Sequence, residues 1–177
     1  MSEDFEVRKR SWLVLVLLLS ACSTWQAGSS PPVPRKAAWA LLPIVNYSQT
    51  PLAGERAEAI VTTLAQTRGL SLDHYAIGDE KNGSLPVLDD TVRYQKGLEW
   101  AVAHHYQYAL TGSVEEWHYK SGLDGEPAVG LSLRVIELPS MKVVWSASGA
   151  RTGWGRDSVS GTAQQVAETL LGRLPLK

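Results

Sequence analysis

Three consecutive β-rich runs in the second half of the chain constrain its fold most. They cover Tyr108–Tyr119, Ala128–Leu138 and Lys142–Thr152, and only short turn-forming segments separate them. In the middle run, apolar residues alternate with small or polar ones, which is typical of a strand with one buried face. Such short connections cannot carry a crossover. The runs therefore predict two hairpins of antiparallel strands.

The first half of the chain alternates between strand and helix patterns. Ala37–Val45 is a short apolar run typical of a buried strand, and Leu52–Gln66 has one apolar helical face. Ser71–Ile77 predicts a further strand. Asp89 and Asp90 open a second amphipathic helix, where capping favours acidic side chains. With an apolar helical stripe ending the chain, the predicted order is β-α-β-α-β-β-β-α, an α/β fold with a mixed β-sheet packed with helices.

The only cysteine, Cys22, follows an apolar run that is too short to span a bilayer. This run, Trp12–Leu19, follows three basic residues and leads into Leu-Ser-Ala-Cys, a pattern typical of a bacterial lipoprotein signal. It predicts a signal peptide over residues 1–21 and acylation of Cys22. We favour this interpretation over an ordinary cleaved signal with an incidental cysteine.

The segment after Cys22 is rich in Ser, Gly and Pro and lacks apolar periodicity. It predicts a flexible tether over residues 22–36, which joins the lipid to a single α/β periplasmic domain over residues 37–177. Ser23 follows Cys22 in place of the Asp that usually retains a lipoprotein in the inner membrane. Lipid anchoring at the periplasmic face of the outer membrane is therefore favoured.

Charge and cysteine content exclude several classes of protein. Removing residues 1–21 takes three basic and three acidic side chains from totals of 17 and 18, so the net charge stays at −1. No basic stripe remains after the signal, which argues against nucleic-acid binding. With Cys22 acylated, no thiol is left for a disulfide, for catalysis or for metal binding.

Residue patterns typical of catalysis or cofactor binding are not found in the sequence, which predicts no enzyme, metal site or cofactor. The adjacent His104 and His105 point in different directions, so a role at a helix end is favoured over metal ligation. Glu115 and Glu116 are expected to face opposite sides of a strand. Asp124 and Glu126 are expected to be solvated in a turn. Neither acidic pair alone predicts catalysis.

Trp154 lies in a glycine-flanked turn, Thr152–Asp157, between the last strand and the last helix. A large aromatic residue at a loop tip suits a bilayer interface or a partner's pocket. The alternative is that the side chain folds back over the core.

Four stretches of the chain, together with the lipobox around Cys22, resemble one known family. They are Ala40–Ser48, Ala53–Arg56, Leu110–Trp117 and Trp145–Thr169. In this order they resemble the PelC family, the periplasmic outer-membrane lipoproteins of Pel exopolysaccharide export. The resemblance covers nearly the whole mature chain.

The resemblance implies a fold similar to the N-terminal domain of TolB and to the curli secretion lipoprotein. It also implies a dodecameric ring beneath the outer membrane, associated with the β-barrel porin PelB. An acidic funnel in that ring would guide a cationic, partly deacetylated aminosugar polymer. Asp124 matches the position expected to guide the polysaccharide, and Glu126, Glu115 and Glu116 are further candidates. Trp154 matches an aromatic residue expected to enter the membrane.

Two other functions fit the same fold and anchor. One is a monomeric outer-membrane lipoprotein that activates a peptidoglycan synthase, although a tether of this length would not reach far through the periplasm. The other is a polypeptide-secretion pore like that of curli, which is disfavoured because the sequence has no long alternating amphipathic hairpins.

Overall fold

The computed structural model of this chain describes residues 23–75, 89–121 and 125–177. The elements in these ranges form one mixed sheet with helices packed against it, which confirms the predicted fold class. One strand at the start of the chain is additional to the predicted order. The elements are β1 (Ser23–Ala27), β2 (Trp39–Asn46), α1 (Ala53–Thr67), β3 (Leu72–His74), α2 (Asp90–Ala103), β4 (Tyr108–Tyr119), β5 (Pro127–Glu137), β6 (Lys142–Thr152) and α3 (Val159–Gly172).

The sheet has the strand order β1-β6-β5-β4-β2-β3. Strand β2 is parallel to both of its neighbours, β3 and β4, because helices α1 and α2 carry the chain across. Strands β4, β5, β6 and β1 pair antiparallel. The short connections in the second half of the sequence therefore form the predicted hairpins.

Helices cover the two faces of the sheet unequally. Helices α1 and α3 pack on one face, where Leu41, Leu110 and Val135 belong to the larger apolar core. Helix α2 packs on the other face, over a smaller cluster that includes Ala40 and Ala109. Beyond α2, the sheet presents a helix-free surface with small residues on β5 and β6. These are Gly130, Ser132, Ser146, Ser148 and Ala150, whose register pairs put them on one face.

The segment expected to be a flexible tether is largely bound to the domain. Ser23 begins β1, which pairs with β6 along its whole length. Farther on, Val33 is buried, and its N–H donates to the carbonyl of Pro175 at 2.8 Å. The tether was predicted from the Ser, Gly and Pro content of the segment. Thr and Trp in β1 nevertheless favour a strand, and the Trp25 ring packs against the core. The strand begins directly after position 22, which leaves no flexible spacer there.

A buried ionic network joins α1, α2 and the end of β2. Pro43 interrupts the β2–β4 register, and the N–H of Ile44 donates to the carboxylate of Glu58 at 2.9 Å. The Arg93 guanidinium lies 3.4 Å from Glu58 and 2.9 Å from Asp90. Glu58 and Arg93 are only 2% and 3% exposed. Asp89 caps α2 through the N–H groups of residues 91 and 92, as its sequence position predicts.

None of the helices in the described ranges is long and apolar enough to cross a membrane.

Replacing Arg93 with Met tests how much this network contributes to the stability of the fold. It should lower the free energy of unfolding by about 3–5 kcal/mol, because Glu58 would stay buried without the Arg93 guanidinium and would keep only the His74 ring, at 2.9 Å, as a side-chain partner among the described residues. Urea denaturation at neutral pH measures the change. The matched control is Arg56→Met on the exposed side of α1, which should change stability by less than about 0.5 kcal/mol. If the two substitutions lower the free energy of unfolding equally, the buried Glu58–Arg93 pair contributes no more to stability than an exposed side chain does.

Candidate functional site

One end of the sheet gathers the residues that adjoin the predicted lipid anchor. Trp117 of β4 pairs with Val129 of β5, Val129 with Arg151 of β6, and Arg151 with Ser23 of β1. This row of four residues runs across the sheet at the level of the residue that follows Cys22. We call the end beyond this row the anchor end; β1 begins there, β4 and β6 end there, and β5 begins there. Cys22 itself lies outside the described residues.

Trp154 lies at the anchor end on a tight turn. Its N–H donates to the Asp157 carboxylate at 2.9 Å, and the N–H of Asp157 donates back to the Trp154 carbonyl at 2.8 Å. The N–H of Gly153 donates to the carbonyl of Pro127 at 2.8 Å, which fixes the turn to β5. The Trp154 side chain is 54% exposed. Of the two predicted orientations, the structure therefore shows the exposed one.

A second exposed aromatic residue, Tyr119, lies beside this turn at the end of β4. Its hydroxyl accepts a hydrogen bond from the N–H of Val159 at 3.3 Å, so the ring crosses to the start of α3. Lys120 follows it and donates from its ammonium group to the Thr152 hydroxyl at 2.8 Å. Aromatic and basic side chains together are typical of surfaces that meet a bilayer interface.

Glu115 and Glu116 lie on the same face of the sheet, which corrects the prediction that they face opposite sides. A β-bulge between Val114 and Glu116 sets two residues of β4 against Gly130 of β5. A Cβ added to Gly130 would lie 3.4 Å from the Cβ of Glu116 and 3.6 Å from that of Glu115. The extra residue changes the alternation, so both side chains leave β4 on the side of the sheet that Gly130 faces.

Glu115 borders a shallow groove on the helix-free face. One oxygen of Glu115 accepts hydrogen bonds from the hydroxyls of Ser113, at 2.6 Å, and Ser132, at 2.9 Å. The groove has a volume of about 220 Å³, and a second hollow of about 480 Å³ continues it beside Ser146 and Ser148. We call these two hollows the sheet groove. Both hollows are open to solvent, and serine hydroxyls line each of them.

The remaining acidic candidates lie elsewhere. Glu126 is at the anchor end, where its carbonyl accepts a hydrogen bond from the Lys120 N–H at 2.8 Å. Asp124 lies outside the described residues. Glu116 has a nearby cation when His118 is protonated, because the two side chains approach to 3.6 Å. The structure therefore brings Glu115 and Glu116 together but does not join them to Glu126.

The end of the sheet opposite the anchor end has an aromatic cluster around Trp100. The Tyr106 hydroxyl donates to the Asp73 carboxylate at 2.7 Å, and burial followed by this interaction raises the pKa of Tyr106 to about 12. His104 ends α2, and its Nδ1 lies 2.8 Å from the Trp100 carbonyl, which agrees with the predicted role at a helix end. Within the described residues, no group of three or more His, Cys, Asp or Glu side chains is arranged to hold a metal ion.

Gly153 gives a direct test of the turn that presents Trp154. An added Cβ would lie 2.8 Å from atoms of Asp157, Pro127 and Thr162, so Gly153→Ala should cost about 1–3 kcal/mol of stability. Gly172→Ala is the control, because a Cβ there meets open space and should be neutral or add up to about 1 kcal/mol. Thermal unfolding compares the two. A neutral Gly153→Ala would mean that the turn is not closely packed.

No family model matches the chain, and no curated protein matches it. Among solved structures, lipoprotein GNA1162 from Neisseria meningitidis is 15% identical, with a TM-score of 0.59 over 77% of this chain and 96% of its own. At that identity, the similarity concerns the fold alone.

Two dodecameric structures of PelC from Paraburkholderia phytofirmans are much more similar. One is a point variant in space group C2, and the other is in space group P6. Each is 34% identical to this chain with a TM-score of 0.73 and covers 88% of it. The matched regions are 100% and 99% of the two PelC chains. This chain therefore belongs to the PelC family.

Proposed function

We propose that this chain is an outer-membrane lipoprotein that assembles into a periplasmic ring and guides a cationic exopolysaccharide of the Pel type to an export porin. In this proposal residues 1–21 are removed and Cys22 is acylated. The ring acts by electrostatic attraction, and no bond is made or broken. The partner porin is the β-barrel PelB that the family resemblance implies.

Ring assembly is supported by the two dodecameric structures, since both match this chain over nearly the whole length of PelC. They favour a homo-oligomer over the monomeric synthase activator. A ring repeats each side chain in every subunit, so a subunit with a net charge of −1 can still produce a strongly negative lumen.

The observation that carries polymer guidance is that Glu115 lines the sheet groove, with Glu116 next to it on the same face of the sheet. The two carboxylates can attract the ammonium groups of an aminosugar, and the serine hydroxyls beside Glu115 can hydrogen-bond its hydroxyls. An ion pair at 4 Å in water contributes about 1 kcal/mol, which is close to thermal energy. Each contact is therefore weak enough to exchange, while many contacts together retain the chain. Asp124 and Glu126 join this set on the family resemblance.

Trp154 supports an orienting contact with the membrane. It is exposed on a rigid turn that follows Arg151 by three residues, and Arg151 pairs with the residue next to Cys22. Acyl chains on Cys22 suffice for anchoring, because each buried CH₂ contributes about 0.8 kcal/mol. We therefore assign Trp154 to setting the tilt of the subunit.

Neutralising the bulge carboxylates tests polymer guidance. The double variant Glu115→Gln/Glu116→Gln should lower secreted polymer severalfold because the ammonium groups lose their attraction, while lipoprotein abundance and ring size stay unchanged. Asp124→Ala should act in the same direction. Glu168→Gln is the matched control, since Glu168 is exposed on α3 across the sheet. Secretion equal to that of the parent chain in both test variants would contradict guidance by these acids.

Trp154→Ala tests the orienting contact. We use the mature chain with Cys22→Ser, which has no acyl group. There Trp154→Ala should weaken binding to lipid vesicles by about tenfold, because no indole side chain enters the membrane interface. Trp154→Tyr keeps an amphipathic ring and should retain most of the binding. Vesicle sedimentation measures both. If Trp154→Ala binds as tightly as the parent chain, Trp154 does not contact the bilayer.

A further inference from the structure

The loop between β2 and α1 holds two exposed apolar residues that the fold itself does not use. Tyr47 is 71% exposed, and Leu52 is 55% exposed. Leu52 occupies the N-cap position of α1 without a capping side-chain hydrogen bond, in a left-handed conformation with φ of 60°. Asn or Gly suits both that conformation and that position better than Leu does. The side chain at Leu52 therefore serves neither the core nor the helix cap.

The loop is nevertheless held firmly in place. The Asn46 amide donates to the Thr50 carbonyl at 2.9 Å, and the Ser48 N–H donates to the Asn46 side chain at 3.0 Å. The Tyr47 N–H donates to the Val114 carbonyl at 2.8 Å. These bonds fix the positions from which Tyr47 and Leu52 extend into solvent.

The loop lies at the anchor end of the sheet. The Thr50 hydroxyl donates to the carbonyl of Trp117, the β4 member of the row that ends at Ser23. That row crosses three strand spacings, roughly 14 Å. Ser23 at one edge, Trp154 near β6 and the loop beside β4 therefore lie at the same end but are spread across the width of the sheet.

We propose that Leu52 and Tyr47 form a second bilayer contact, which enters the interface of the membrane that carries the lipid anchor. The inference rests on the proposed function through the acylation of Cys22. Leu contributes apolar area, and the phenol of Tyr suits the boundary between acyl chains and headgroups. Continuity with the anchored N-terminus favours a lipid surface over a neighbouring subunit as the partner. Together with Trp154 and the acyl chains, this contact gives the subunit three separate points on the membrane. The subunit is then restrained from tilting about either axis in the membrane plane.

Met141 supplies an unusually close control for Leu52. It is also apolar, 46% exposed and left-handed with φ of 62°, but it lies in the β5–β6 turn. That turn is at the opposite end of the sheet, where Tyr108 pairs with Glu137 and Glu137 with Lys142. Leu52→Asn and Met141→Asn each remove an exposed apolar side chain and introduce a residue that tolerates positive φ. Both variants should fold at least as stably as the parent chain.

The experiment measures sedimentation of the mature Cys22→Ser chain with vesicles of phosphatidylethanolamine and phosphatidylglycerol. Leu52→Asn should weaken binding about fivefold, whereas Met141→Asn should stay within about twofold of the parent chain. Light scattering of the same samples should show an unchanged oligomeric state for both. These three results together support the second contact.

Three outcomes would overturn the inference. The first is Leu52→Asn binding as tightly as the parent chain while Trp154→Ala binds more weakly, which leaves the proposed function intact. The second is loss of the oligomer in Leu52→Asn, which assigns the loop to a subunit interface. The third is a failure of membrane binding as a whole. It would be seen either as a parent chain that does not bind vesicles or as unchanged binding in both Leu52→Asn and Trp154→Ala. In that case the membrane contact of the proposed function fails as well.

Discussion

The antiparallel pairing of β1 with β6 determines how the rest of the molecule can face a membrane. It begins at Ser23, directly after the proposed site of acylation, and continues to Ala27. Gly149 makes the pairing possible, because any side chain there would collide with the ring of Trp25. An acyl group on Cys22 would therefore be joined to the sheet edge without a spacer. The end that carries Trp154 and the β2–α1 loop would then be held near the bilayer.

In the proposed function, the same sheet would keep membrane contact and polymer guidance apart. Exposed aromatic and aliphatic side chains are at the anchor end, where burial in a lipid interface can offset their exposure to water. The side chains of Glu115 and Glu116 lie on the helix-free face, where the Glu115 carboxylate accepts hydrogen bonds from two serine hydroxyls. At physiological salt the screening length is about 8 Å, so in the proposed function these charges would act on a polymer only within the groove or a narrow lumen. Repetition around a ring, more than the charge of one subunit, would then give the attraction its range.

The strand and helix order could be predicted because each long element has a clear apolar period. Three features of the fold and the site could not be predicted. Strand β1 has only five residues and a polar sequence, so its pairing depends on a tertiary contact with the core. The bulge at Glu115 shifts the alternation by one residue, which period-two patterning cannot reveal. The approach of Glu58 to Arg93 joins residues that are 35 positions apart and depends on how α2 crosses the sheet. The sequence did offer one signal, Gly130 inside an alternating strand, because a glycine within a strand often marks a bulge in the pairing.

Electron cryomicroscopy of the acylated mature protein in a lipid nanodisc tests the central claim most directly. The account predicts a closed ring of about twelve subunits, with Ser23, Trp154 and Leu52 directed toward the bilayer and the Glu115–Glu116 pair open to the lumen. A monomer would contradict it. A ring whose lipid-facing surface is the opposite end of the sheet, or in which the sheet groove is buried between subunits, would contradict it as well.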